Sequence, residues 1–250
     1  MIAYARISAD ECHRHFSIIL KSNCNATGIY RIINKEGKNM DNILISIYHR
    51  LEARYGNLNW WPASTPYEVI AGAVLTQNTN WANVEKALAN FDEDITPERV
   101  LTLSPDELKA LIRPAGFFNQ KAVYLTAVTR WFAGYDYDVK KVQARPLEAV
   151  RAELLAVHGI GNETADSILL YAFDFPTFVI DKYTQRFCQR YPVDAGDNYM
   201  SVKAYFEANL PQDAALFNNY HALIVINAKE HCSAKKNCDG CPLSMYCRKL

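Results

Sequence analysis

Two glycines one residue apart, Gly159 and Gly161, lie between two helical patterns and constrain the fold more than any other feature. Residues 147–157 (LEAVRAELLAV) carry apolar side chains at helical spacing and follow a proline, which suits a helix start. A second helical pattern covers 163–173. Because only a short connection that includes 158–161 separates the two patterns, the sequence predicts a tight helical hairpin.

The glycine turn also predicts an anion site. Glycine allows positive φ and removes the side chain that would block a close approach to the backbone. We expect the free N–H groups of Gly161, Asn162 and Glu163 to point outward at the start of the second helix, where a phosphate is favoured. An ordinary helix–turn–helix corner explains the same glycines, and G-x-G alone favours that simpler interpretation.

A lone acid, Asp181, follows Gly161 by twenty residues and precedes the helical stretch 182–187. Its position is typical of a helix N-cap, whose side chain accepts hydrogen bonds from the first backbone N–H groups. A carboxylate within reach of a phosphate-binding turn also indicates chemistry on a nucleic acid. The two roles are compatible.

The segment 155–165 (LAVHGIGNETA) resembles the helix-hairpin-helix signature of the endonuclease III superfamily of DNA glycosylases, also called HhH-GPD, and 179–184 (VIDKYT) resembles its segment with the catalytic aspartate. The resemblance spans roughly 43–247. Within the superfamily the chain is most similar to the 3-methyladenine DNA glycosylase III branch. The segments that carry this similarity are 60–62 (WWP), 72–79 (GAVLTQNT), 113–122 (RPAGFFNQKA) and 159–166 (GIGNETAD).

This resemblance implies an all-α, two-lobed helical fold with the active site in the cleft between the lobes. The expected lobes are 61–145, which is central, and 41–60 with 146–250, formed by both chain ends. Residues 1–40 fit neither lobe and are interpreted as an N-terminal extension, with Met40 as a candidate start.

Two helix starts are also predicted from local sequence. Residues 65–68 (TPYE) form a capping box with proline at the first helical position, and they open the helix that contains 72–77. Residues 104–107 (SPDE) open another helix in the same way.

The resemblance makes Asp181 the catalytic residue, which stabilises an oxocarbenium-like sugar cation or orients a water. In strand-cutting relatives, a lysine of the second hairpin helix forms a Schiff base with the sugar. Glu163 occupies the matching position here, and a carboxylate cannot form an imine. The implied enzyme is therefore monofunctional: it releases the base and leaves an abasic site.

An N-alkylated purine is the expected substrate because it is cationic and leaves readily, so a single aspartate suffices. Aromatic faces select a cationic ring by stacking and cation–π contact. Trp60, Trp61 and Trp81 are the candidate pocket residues, and Glu163 adds a negative charge. In the branch, aromatic residues at the positions of Trp60 and Trp81 line the base pocket. Core packing is the alternative, and it is left open for Trp61.

The expected partner is double-stranded DNA containing a damaged base, bound by a monomer. Lys plus Arg and Asp plus Glu number 27 each, so DNA binding requires local patches. Gln77 and Asn78 are candidates for filling the gap left by the flipped base. Candidate DNA contacts elsewhere are the hairpin residues and the lysine after Asp181, namely His158, Gly159, Ile160, Gly161, Thr164 and Lys182.

Four of the seven cysteines fall within sixteen residues, as Cys232-x5-Cys238-x2-Cys241-x5-Cys247. No secretory signal precedes them, and a reducing cytosol favours a four-thiolate metal site over disulfides. The compact spacing favours a [4Fe–4S] cluster wrapped by one loop, with zinc or free cysteines as alternatives. The superfamily's cluster loop has a similar layout, although its first gap is usually one residue longer. We expect a structural cluster that holds Lys235 and Lys236 near DNA phosphates.

Two other functions stay open. One is an endonuclease III-like mismatch or oxidised-pyrimidine glycosylase, with or without lyase activity from another lysine such as Lys121 or Lys182. The other is a noncatalytic iron–sulfur DNA-binding protein that senses redox state. Asp181 and the tryptophans disfavour this alternative, because a redox sensor needs no such set of residues. The absence of a membrane-length apolar run or signal-peptide pattern favours a cytoplasmic, nucleoid-associated protein.

Overall fold

The computed structural model describes residues 42–58, 60–92, 94–191, 193–232 and 236–248, together with the backbone of three short strands near the N-terminus. The rest of the predicted extension over 1–40, and Lys235 of the predicted basic loop, lie outside the described residues. The strands are β1 (Asn23–Cys24), β2 (Tyr30–Ile33) and β3 (Asn39–Asp41), paired antiparallel in the order β1-β2-β3. Residue 31 pairs with residue 41. The sequence did not predict this small sheet.

The remaining regular structure of the described residues is helical, which confirms the all-α prediction. Two short 3-10 turns accompany the α-helices. In chain order the α-helices are α1 (Ile43–Tyr55), α2 (Pro66–Leu75), α3 (Trp81–Leu88), α4 (Pro97–Thr102), α5 (Pro105–Ile112), α6 (Phe118–Ala133), α7 (Val139–Gln143), α8 (Leu147–Ala156), α9 (Asn162–Phe173), α10 (Lys182–Arg190), α11 (Tyr199–Asn209) and α12 (Ala214–His231). Among them, none has both the length and the apolar character to cross a bilayer.

Local caps explain where several helices begin. Ser104 and Glu107 form the predicted reciprocal capping box of α5. At α2 only half of the predicted box is present: the Thr65 hydroxyl accepts from the Glu68 N–H at 3.1 Å, but the Glu68 carboxylate accepts from the N–H of Ser64. The helix predicted to include Gln77 also ends earlier, at Leu75. The residues that follow are therefore free to turn toward the hairpin.

Two hydrophobic cores organise the helices. The first is built by α2 to α9, and the second by α1, α10 to α12 and the loop after α12. The sequence assigned 146–173 to the lobe formed by the chain ends, whereas buried side chains of that segment, such as Val150 and Ile168, pack in the first core. The cause is α9, which packs along α2 and contributes Leu170, fully buried, and the neighbouring Tyr171 to the second core.

A buried ionic network fixes the hairpin between the cores. The guanidinium of Arg151 on α8 donates to both carboxylate oxygens of Asp166 on α9, at 2.8 and 3.0 Å. Asp166 also accepts from the hydroxyls of Thr177 (3.1 Å) and Tyr199 (2.7 Å). The side chain of Asp166 is 0 % exposed. This single carboxylate therefore joins α8, α9, α11 and the segment that leads into α10.

Candidate active site at the junction of the two cores

The hairpin forms as predicted, with α8 and α9 joined by a turn that only glycine fits. Gly159 has φ +84°, and a Cβ built there would lie 2.1 Å from the Tyr124 ring. Gly161 is the N-cap of α9, where no side chain of the described residues caps the helix. The first N–H groups of α9 are thus available to an anion, as the sequence indicated.

Gln77 connects the end of α2 to this turn. Its Nε2 donates to the carbonyl oxygen of Gly159 and to Oγ1 of Thr164, both at 3.0 Å. Asn78, with φ +53°, is exposed beside it. Gln77, one of the two predicted gap-filling residues, therefore contacts the glycine turn, and Asn78 follows it in the chain.

Asp181 caps α10, and its two carboxylate oxygens have different surroundings. Oδ1 accepts from the backbone N–H groups of Tyr183 (2.9 Å) and Thr184 (2.8 Å) and from the Thr184 hydroxyl (3.1 Å). Oδ2 lies 3.7 Å from Nε2 of His221. Burial raises the pKa of Asp181, but the imidazole of His221 and the Thr184 donors outweigh burial, so the pKa lies below its ordinary value. The side chain of Asp181 is 15 % exposed.

Glu163 is part of the same electrostatic cluster. Its pKa is raised, first by desolvation in the cleft and then by the nearby charge of Asp181, while His221 and Lys182 oppose the rise. Lys182 is exposed, and its Nζ lies over the ring of Tyr183 at 5.3 Å. The pKa values of the two carboxyl groups are thus shifted in opposite directions, with Asp181 the more acidic.

An aromatic cluster leads toward Asp181. The rings of Trp61 and Trp81 meet edge to face at 5.3 Å, and Trp61 lies 4.9 Å from Tyr171. Gly72 of α2 gives these indoles room, because a Cβ there would be 3.2 Å from Trp81 and 3.3 Å from Trp61. Trp60 is not among these ring contacts; its partner is Lys229, whose Nζ lies over its ring at 5.5 Å.

Two residues that complete this site, Tyr171 and His221, were not predicted from the sequence. The Tyr171 hydroxyl and Nδ1 of His221 are 2.6 Å apart. Both residues lie within apolar helical runs, where an aromatic or histidine is typical of core packing, so no sequence signal separated them from the core. Together they link the tryptophans to Asp181.

Phe117 is another residue that the sequence reasoning missed. It is 63 % exposed and has φ +46° immediately before α6. Lys121 connects this loop to the end of α2, because its Nζ donates to the carbonyls of Leu75 (2.8 Å) and Ala115 (2.7 Å). The available signal was an apolar residue directly after Pro-Ala-Gly, a sequence that predicts an exposed turn.

The alternative role of Lys121 as a lyase nucleophile disagrees with this environment. Lys121 is 2 % exposed, and desolvation lowers its pKa to about 8. Its ammonium is occupied by two carbonyl oxygens inside the first core. It is thus a structural residue that joins α2 to the turn before α6.

The four cysteines of the predicted cluster line one cavity. Cys232 and Cys241 are buried, Cys247 is half-buried and Cys238 is exposed. Arg186 of α10 donates to the carbonyl of Cys232 at 2.9 Å. In the part of the chain that the structure describes, no three His, Cys, Asp or Glu side chains converge closely enough to hold a single metal ion.

Comparison with known proteins identifies the family. Residues 71–212 match the model of the HhH-GPD superfamily base excision DNA repair proteins. A Methanocaldococcus jannaschii protein, provisionally named a DNA repair glycosylase, is 46 % identical over 216 residues, which cover 84 % of this chain and 98 % of that protein. This chain belongs to the HhH-GPD superfamily. It is a DNA glycosylase of base excision repair, as the sequence predicted.

Solved structures of HhH-GPD proteins share its fold. The H. pylori 3-methyladenine DNA glycosylase bound to 1,N6-ethenoadenine matches with a TM-score of 0.65 and 26 % identity, over 75 % of this chain and 97 % of that one. A non-covalent endonuclease III–DNA complex matches with a TM-score of 0.70 and 21 % identity, over 82 % of this chain and 94 % of the other. The resemblance stated from the sequence is confirmed at the level of the superfamily.

Proposed function

We propose that this HhH-GPD protein is a monofunctional DNA glycosylase that hydrolyses the N-glycosidic bond of an N-alkylated purine flipped out of duplex DNA. The observation that carries the proposal is the cluster around Asp181, in which Glu163 supplies a carboxylate where strand-cutting relatives have an amine. Of the two other candidate amines, Lys121 is buried against two carbonyls, and Lys182 is exposed with its Nζ over the Tyr183 ring at 5.3 Å. Without a positioned amine, the sugar has no Schiff-base partner.

Asp181 is proposed to act through Oδ2. Its other oxygen is held by three donors at the start of α10, which fix the carboxylate with Oδ2 turned toward the cleft. The low pKa keeps the group ionised at neutral pH. An ionised oxygen in this partly desolvated position stabilises a sugar cation or orients the attacking water.

The proposed base pocket combines aromatic faces with a negative field. Trp61, Trp81 and Tyr171 form contiguous rings, and Glu163 and Asp181 add carboxylates at one end of the row. A cationic alkylpurine gains from both, whereas a neutral base gains from the rings alone. The H. pylori relative bound to ethenoadenine supports a purine lesion in such a pocket.

Duplex DNA is proposed to bind along the hairpin as the partner of a monomer. The open N-terminus of α9 takes a phosphate, and Gln77 and Asn78 project beside it. Phe117, exposed on the neighbouring loop, suits insertion between bases, as apolar wedges do in other DNA-bending proteins. Lys182 is exposed and suits a phosphate contact.

One assay tests the activity. Duplexes carrying a stable 3-methyladenine analogue, ethenoadenine, thymine glycol, G·T or G·U are incubated with the protein, and base release is followed with and without alkali. We expect release of the alkylated purine, with strand breakage only after alkali. Strand cleavage without alkali, or borohydride trapping, contradicts the monofunctional proposal and favours the endonuclease III-like alternative.

Two variants sharpen this test. Asp181→Asn removes the ionised oxygen and is expected to lower base release by about 10²-fold or more. Glu163→Lys installs an amine where strand-cutting relatives have one, and we expect borohydride-trapped complex only in this variant. Glu163→Gln is the matched control, since it changes the charge without adding a nucleophile. Base release that survives Asp181→Asn unchanged rejects the catalytic assignment.

The cysteine loop is proposed to hold a [4Fe–4S] cluster through Cys232, Cys238, Cys241 and Cys247. A cubane binds each thiolate at a different iron, so the four sulfurs need not meet at one point, as zinc requires. The cavity that the cysteines share, which also contains Tyr191 and His231, fits such a donor set. The cluster would supply a structural anchor for the loop beside α10.

A direct measurement tests the cofactor. The purified protein is expected to be brown, with about four irons per chain, and Cys238→Ser is expected to lower iron content and the denaturation midpoint together. Cys188→Ser, a cysteine buried in the second core and outside the loop, is the control that leaves iron content unchanged. Stoichiometric zinc in a colourless protein overturns the assignment.

A further inference from the structure

A buried histidine on α12 faces the proposed catalytic carboxylate with one nitrogen unpaired. His221 is 6 % exposed, and within the described residues its Nε2 has no hydrogen-bond partner. The nearest acceptor is Oδ2 of Asp181, at 3.7 Å, which is longer than a hydrogen bond. A buried, unsatisfied donor is costly, so its retention here calls for a specific purpose.

The other nitrogen of the ring determines what Nε2 presents to Asp181. Nδ1 lies 2.6 Å from the Tyr171 hydroxyl. When the hydroxyl donates to Nδ1, the neutral imidazole carries its proton on Nε2, directed at Oδ2. Tyr171 thereby selects the tautomer that donates to the carboxylate.

We propose that His221, oriented by Tyr171, is a positioning residue that keeps Oδ2 of Asp181 ionised and aimed at the sugar. The catalytic meaning of this pairing rests on the proposed glycosylase function. Tyr171 lies at the end of the row of rings formed with Trp61 and Trp81. The same tyrosine therefore contacts Trp61 of the proposed base pocket and orients His221. On binding of the flipped nucleotide, such long contacts in a free enzyme shorten to hydrogen bonds.

Other charged groups near His221 must be separated from this effect. Asp181 faces it from the start of α10, and Glu163 and Tyr171 face it from α9. Lys182 acts on Glu163. Because Glu163 also titrates in the cleft, each measurement is repeated in a Glu163→Gln background, which removes the Glu163 carboxyl from the titration.

The first test is the pH profile of single-turnover base release from the alkylated-purine duplex. The rate falls as Asp181 becomes protonated, so losing the His221 donor moves the acid limb to higher pH. We expect His221→Leu to lower the rate about tenfold at the acid end, with a smaller loss at alkaline pH. His221→Gln, which retains an amide donor, is expected to restore part of the rate. Tyr171→Phe is also expected to move the acid limb of the pH profile to higher pH.

The second test does not depend on activity. The carboxyl carbon of Asp181 is followed by NMR in protein labelled at aspartate, with the resonance assigned by its loss in Asp181→Asn. Its titration midpoint is expected to rise in His221→Leu and to stay unchanged in His49→Leu, a matched substitution on α1. Urea midpoints of all variants verify that each is folded.

The outcomes separate the two proposals. An Asp181 midpoint that is the same in His221→Leu and wild type overturns the pairing, as does an acid limb that stays in place while the rate falls equally at every pH. If the wild type releases no base from any duplex, the proposed function fails, and the NMR titration alone decides the pairing.

Discussion

Replacing Asp166 by asparagine tests how much stability the hairpin network contributes. Asp166 accepts four hydrogen bonds, two from Arg151 and one each from Thr177 and Tyr199. The side chains of Arg151 and Asp166 are 9 % and 0 % exposed. Asparagine keeps one carbonyl oxygen but turns the other acceptor into an NH2 group that faces a donor, and it leaves the Arg151 charge uncompensated.

The expected cost of Asp166→Asn is about 3–5 kcal/mol in the free energy of unfolding, the range for a buried pair that loses one partner. This is a large part of the roughly 5–15 kcal/mol that stabilises an ordinary protein. Urea denaturation measures it as a lower midpoint with an unchanged m-value. Asp106→Asn is the control, because Asp106 is 94 % exposed in its ion pair with Lys109, and such pairs contribute little.

A double variant isolates the cause of the loss. In Arg151→Met with Asp166→Asn the unpaired charge is gone, so the loss should be smaller than the sum of the single losses. A loss below about 1 kcal/mol for Asp166→Asn, or a loss equal to that of Asp106→Asn, refutes the reasoning that a desolvated ion pair holds the hairpin.

Two further predictions concern the same region. Gly159→Ala should destabilise the protein and weaken DNA binding, because a Cβ there overlaps the Tyr124 ring. Gly161→Ala should leave the urea midpoint nearly unchanged, because the space around its Cβ is open. Equal urea midpoints for the two variants contradict this prediction. Folding lowers the pKa of Lys121 to about 8. Between about pH 8 and 10.5 the unfolded chain therefore binds more protons at Lys121 than the folded chain does, so the contribution of Lys121 to the free energy of unfolding rises with pH in that window. Lys121→Met should lack this rise when urea midpoints of the two proteins are compared at pH 8 and 10, and parallel pH dependences reject the assignment.

The sequence predicted the features that depend on local patterns. Helical periodicity with a glycine turn predicted α8 and α9, and proline after a capping residue predicted the starts of α2 and α5. Asp181 was predicted as an N-cap, and its hydrogen bonds to the N–H groups of Tyr183 and Thr184 confirm that role. These features are set by residues within a few positions of one another, so the chain reveals them directly.

The features that escaped prediction depend on contacts between distant residues. Tyr171 and His221 are fifty residues apart in the chain and meet only because α9 and α12 pack together. Lys121 was considered as a nucleophile because nothing in its neighbours indicated that two carbonyls from other segments would enclose it. Periodicity identifies which face of a helix is buried, but it does not identify the partner of a polar group on that face.

The helix α9 connects the parts of the proposed site. Its N-terminus supplies the open N–H groups, its first turn Glu163, its middle Asp166 and its end Tyr171. At 1.5 Å per residue, the phosphate turn and Tyr171 are separated by about 14 Å of continuous helix. This spacing is rigid, because Asp166 joins the helix to the segment that leads into Asp181. The distance between the proposed phosphate site and the proposed catalytic carboxylate is therefore set by helix length and one buried carboxylate, which is why we expect Asp166→Asn to impair base release even where the protein remains folded.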